Sequence, residues 1–121
     1  MKTLNWTKRR DGKCFKLANV NLADPYFIDL EGVYIIWYEG KNHTVVRVGQ
    51  GIIKEKLSDH QTDPRIMTYK SHGLCVSWAM VLPLYRNGIE RYLFEKLKPI
   101  VGFRYPNVPA IQVNLPWDQP L

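Results

Sequence analysis

Apolar and polar positions fall into two patterns along this chain. Val33 to Tyr38 is β-branched and aromatic, which predicts a strand, and Thr44 to Val48 predicts another. The turn-rich stretch Glu39-Gly40-Lys41-Asn42-His43 separates them, so an antiparallel hairpin is the simplest pairing. Leu74 to Leu82 alternates Leu74, Val76, Trp78, Met80 and Leu82 with Cys75, Ser77, Ala79 and Val81. Such a strand is apolar on both faces and suits burial on both sides. Helical periodicity runs from Gly51 to Gln61, where Thr62-Asp63-Pro64 stops it, and again from Asn87, a candidate N-cap, to Lys98 before Pro99.

The flanks read differently. Residues 2 to 20 alternate loosely around Arg10-Asp11-Gly12-Lys13, and Asp-Gly predicts a small N-terminal hairpin. Asn19 to Glu31 holds Asp24-Pro25 and reads as a connection. Beyond the second helix, Pro106, Pro109, Pro116 and Pro120 predict an extended surface tail, with Ile111-Gln112-Val113 as a candidate short strand.

Three polar residues interrupt apolar helical arcs. At about 100° per residue, Ile52, Ile53 and Leu57 define a buried arc, and Lys56 and His60 fall inside it, one turn apart. Ile89, Leu93, Phe94 and Leu97 define a second arc, and Glu90 falls inside that one. A carboxylate in an apolar arc must be paired, bound to a metal or neutralised, so Glu90 is a site candidate on physical grounds. Plainer roles exist for each. Lys56 can snorkel to water, His60 can cap a helix end, and Glu90 can sit in an exposed first turn.

Composition narrows the partners. The 121 residues suit one domain with its own core, and 45% hydrophobic with 23% charged residues is ordinary globular composition. A net charge of +6 favours an anionic partner such as nucleic acid. Lys8, Arg9, Arg10, Lys13 and Lys16 cluster near the N-terminus as a candidate phosphate-contacting edge. Cys14 and Cys75 lack C-x-x-C spacing, which predicts two reduced thiols in a cytoplasmic protein rather than a disulfide or zinc site. The N-terminus lacks an apolar signal-peptide core, and no stretch approaches the roughly 20 apolar residues of a membrane helix.

Gly32-Val33-Tyr34 and Arg47-Val48-Gly49, followed by a helix with Lys56-Leu57 and His60 and a later helix with Glu90, resemble the GIY-YIG nuclease domain. The resemblance covers about residues 32 to 102. It implies a mixed α/β fold of the α+β kind, with a small three-stranded antiparallel sheet flanked by helices. It also implies hydrolysis of DNA phosphodiesters with one divalent metal, Mg²⁺ or Mn²⁺, on Glu90. Tyr34 matches the family's first-motif tyrosine, Lys56 stands where a helical Arg is usual, and His60 matches a frequent His. Tyr34 or His60 would take the proton of the attacking water, and Lys56 with Arg47 would stabilise phosphoryl charge.

The chain departs from the family at three places. Arg47 stands where the family has Tyr, Lys56 replaces Arg, and Gly102 follows Pro99 where an Asn is usual. DNA is the expected partner rather than RNA. The rival expectations are a domain of the same fold that binds nucleic acid without cleaving it, and one whose partner is protein.

Overall fold

The computed structural model describes residues 1–102 and 104–118; Pro120 of the expected tail lies outside them. One antiparallel sheet carries the fold. Its strands are β1 (Phe15–Lys16), β2 (Glu31–Glu39), β3 (His43–Ile52) and β4 (Cys75–Met80), in the order β1-β4-β2-β3. The helices are α1 (Ile53–Gln61), α2 (Pro64–Met67) and α3 (Pro83–Leu97). The expected sheet of three strands therefore has four, because the two-residue β1 pairs with the outer side of β4.

Both faces of the sheet are covered. Val33, Ile35, Val48 and Ala79 pack with Ile89 and Leu93 of α3. Tyr34, Ile36, Val76 and Trp78 pack on the other side with Ile53 and Leu57 of α1 and Ile66 of α2. β2 and β4 are buried along nearly their whole length, as unbroken apolar strands should be.

The β2–β3 hairpin forms as its turn chemistry predicts, with Glu39 opposite His43. A β-bulge interrupts it. Trp37 pairs with Val45, but Ile36 pairs with Arg47, so Val46 is the extra residue. Side chains alternate between faces along a strand, and one extra residue reverses the alternation for everything beyond it. The bulge thus puts Arg47 and Gly49 on the α1 face beside Tyr34. It puts Val48 and Gln50 on the α3 face.

The flanks correct two expectations. A turn does form at Arg10–Gly12, closed by Gly12 N–H to the Arg9 carbonyl at 3.1 Å. Its two arms do not pair into a hairpin. The first arm joins the Pro-rich tail: Lys2 bridges Val113 in parallel, and the Trp6 indole donates to the Asn114 carbonyl at 2.9 Å. The second arm supplies β1. Burying Leu4, Trp6 and Val113 together against the α3 face outweighs the local turn preference.

The cysteine expectation is also corrected. Cys14 and Cys75 form a disulfide across 61 residues of chain, where β1 meets β4. The sequence hides this because the partners meet through sheet register, not through local spacing. Closing a loop of that length is worth roughly 4 kcal/mol in the chain-entropy picture. The cytoplasmic expectation rested partly on reduced thiols, and the disulfide removes that ground. Among the described residues, no helix is long and apolar enough to cross a membrane.

Candidate active site at the edge strand

β3 is an edge strand, and the candidate residues gather along it from both faces of the sheet. On the α1 face, Tyr34 stands opposite Gly49. A Cβ on Gly49 would overlap the Tyr34 hydroxyl, so the glycine lets the phenol lie across the edge strand. The hydroxyl meets Nε2 of His60 at 2.6 Å. His60 points inward from α1 as its periodicity predicts, only 8% exposed, and Tyr34 is 1% exposed.

Arg47 completes this face. Its guanidinium lies beside the Tyr34 hydroxyl, and its Nη1 would sit 2.6 Å from a Cβ on Gly102. Gly102 has φ of +98°, a conformation that L side chains rarely adopt. Arg47 and Gly102 are therefore one structural unit: the absent side chain at Gly102 makes the space that Arg47 occupies. The Arg47 Nε is buried without a hydrogen-bond partner. A buried donor of this kind carries a desolvation cost unless a ligand or water meets it.

Lys56 does not share the buried arc. An arc that includes Ile52 takes in Lys56, but Ile52 belongs to β3 and is exposed, and α1 begins at Ile53. The real arc of Ile53, Leu57 and His60 leaves Lys56 exposed on its border. From there the aliphatic part of Lys56 folds back over Gly51.

Glu90 reaches β3 from the other face. α3 begins at Pro83, not at Asn87, because proline at the first helical position needs no N–H partner. Asn87 is thus inside the helix rather than its cap, and Glu90 is mid-helix rather than in a first turn. The half-buried Glu90 carboxylate accepts a 3.1 Å hydrogen bond from Gln50 Nε2, which also donates to Asn87 Oδ1 at 2.5 Å. No Lys, Arg or His ion pair holds Glu90 among the described residues. Gln50 and Asn87 were missed in the sequence; the available signal was an isolated amide at the end of an apolar strand.

Electrostatics ties the groups together through Arg47. Burial pushes the Tyr34 phenol up to about 12, against the pull of Arg47. Burial, then the Arg47 charge, push His60 down to about 4. Burial raises Glu90, opposed by the Gln50 hydrogen bond and by Arg47 and Lys56. At neutral pH the Tyr34–His60 pair is therefore uncharged.

The pair has a measurable consequence. The unfolded chain protonates His60 near 6.5, while the folded ring resists until about 4. The stability this contributes is complete above about 6.5 and is lost as pH falls towards 4, by on the order of 3 kcal/mol. Tyr34 works in the opposite direction, since its raised pKa costs stability as pH climbs from about 10 to 12. Melting temperature should thus fall between pH 6.5 and 4.5 more steeply in the wild type than in His60→Gln. Equal slopes in the two proteins would refute the assignment.

The donor set suits a hard cation. Glu90 and Asn87 offer oxygen atoms, and no group of three His, Cys, Asp or Glu stands together among the described residues. Oxygen donors of this kind are those that Mg²⁺ and Mn²⁺ take. No protein-family model matches the chain, and no curated protein or solved structure matches it significantly.

Proposed function

We propose that this chain is a metal-dependent endonuclease of GIY-YIG type that hydrolyses DNA phosphodiester bonds. One observation carries the reading: Tyr34, Arg47, His60 and Glu90, from four separate stretches of sequence, share one electrostatic neighbourhood at the edge strand. Displaced ionisation in a cluster of this kind is a mark of catalytic sites.

Arg47 and Lys56 would receive the phosphate charge, Arg47 through its planar fork and Lys56 as a mobile point charge. A divalent cation on Glu90 would supply a Lewis acid for a phosphoryl oxygen and the leaving oxygen. The resting His60 is too weak a base to take a proton from water unaided. Burial is the main cause that holds His60 down, and phosphate beside Arg47 offsets the second, which brings the ring part of the way back. Attacking water then gives its proton to the Tyr34 oxygen as Tyr34 passes its own to His60 Nε2, along the 2.6 Å contact. The phenol returns to its neutral form, and the imidazolium holds the proton for release.

A second reading is favoured by the burial of Tyr34 and His60: a module of the same fold that holds nucleic acid without cutting it. Incubation with plasmid and branched DNA in Mg²⁺ or Mn²⁺ separates the two. Nicked or linear product supports the nuclease. Intact DNA that is retarded at low salt and released steeply as salt rises would leave only the binding module.

A further inference from the structure

The Gln50 side chain does something that the nuclease reading does not require. Its Nε2 donates to Asn87 Oδ1 at 2.5 Å and to Glu90 Oε1 at 3.1 Å. One NH₂ group thus draws a neutral amide oxygen and a carboxylate oxygen towards a single point. The two acceptors lie three residues apart on α3 and so share a helix face. Gln50 meets them from β3, where the bulge has turned it towards α3. The point is reachable from solvent: Asn87 is exposed, Gln50 and Glu90 are half-buried, and β3 is the sheet edge.

Resting on the nuclease reading, we propose that Asn87 and Glu90 together hold the divalent cation, beside the point now filled by the Gln50 amide nitrogen. Gln50 then turns its amide over and presents Oε1 as a third oxygen. The chemistry favours this in three ways. A positively polarised NH₂ drawn between two oxygens shows that this spot favours positive charge. The terminal amide torsion is broad, and reversing it exchanges a donor for an acceptor with almost no change of shape. One carboxylate and two amide oxygens leave positions for waters and for substrate phosphate, which Mg²⁺ prefers.

The surrounding charges set the expected strength. Arg47 and Lys56 both act on Glu90, so they oppose a cation in the free protein. Binding should therefore be in the millimolar range without DNA and tighter once phosphate offsets those two charges.

The test is Mn²⁺ titration of the DNA-free protein, followed by loss of the free-ion electron paramagnetic resonance signal. Wild type should bind one ion. Asn87→Ala should weaken it about tenfold, and Glu90→Gln should weaken it at least as much. Gln50→Glu, which replaces the amide by a carboxylate of equal size, should tighten it several-fold. Asn87→Ala and Gln50→Glu binding as wild type does, with Glu90→Gln still defective, would overturn the shared site and leave the nuclease reading standing. Wild type that binds no Mn²⁺ would also overturn it, and the plasmid assay would then judge the nuclease reading separately.

Discussion

Glu90→Gln should lower cleavage of plasmid DNA in Mg²⁺ by about 10²–10³-fold or more, the usual loss when a group that stabilises transition-state charge is removed. The substitution keeps the shape of the side chain and keeps an acceptor for Gln50, whose present bond to Glu90 is 3.1 Å. It removes only the negative charge. That charge is already strained by burial, so the folded protein should gain or hold stability in the variant. DNA retardation in chelator should persist or strengthen, because a carboxylate near the phosphate has gone. The decisive readout is the rate of nicking at saturating Mg²⁺. A rate equal to wild type would sink the mechanism, whatever the binding result.

Gly32→Ala should unfold the protein or cost it roughly 3 kcal/mol or more, among the largest losses a single methyl can cause. Gly32 pairs with Gly51 on one side and Met80 on the other, inside the three strands that carry the sheet. A Cβ there would overlap the Ala79 backbone carbonyl. A side chain could rotate away from such a clash, but a strand carbonyl in mid-sheet cannot. Gly49→Ala makes the useful contrast, since its Cβ would strike the Tyr34 ring instead. That ring can shift at the expense of its bond to His60, so Gly49→Ala should stay folded and lose the pH signature of the pair. Urea denaturation measures both; a Gly32→Ala midpoint within error of wild type would show that the strands separate more readily than their packing implies.

Those two glycines show how far the sequence alone could be read. Gly-x-Tyr and x-x-Gly are weak patterns, but their strands were legible because Val33 to Tyr38 is unmistakably β-forming. The inward turn of His60 was legible because it keeps one register with Ile53 and Leu57 over two turns of α1. Lys56 was misplaced by a single boundary: Ile52 is apolar, but it ends a strand, and periodicity cannot tell the last strand residue from the first helical one. α3 was begun late because Asn87 is a good cap, while Pro83 starts the helix without one. The pairing of Arg47 with Gly102, the Gln50 bridge and the disulfide were out of reach, because each depends on residues that meet only after the sheet has its register.

The extra residue at Val46 has a bearing on how this hairpin can change over time or be engineered. It separates a tolerant end from an intolerant one. Gly40–Asn42 lies on the turn side of the bulge, so residues added there lengthen a loop and leave Arg47, Gly49 and Gln50 facing as they do. Adding one residue between Val46 and Arg47 would send every one of them to the opposite face. Arg47 would then turn into the packing beneath α3, and Gln50 would turn away from Glu90. Length variation, epitope tags and fluorescent labels therefore belong at Lys41 and Asn42, while the five positions beyond the bulge admit substitution but not insertion.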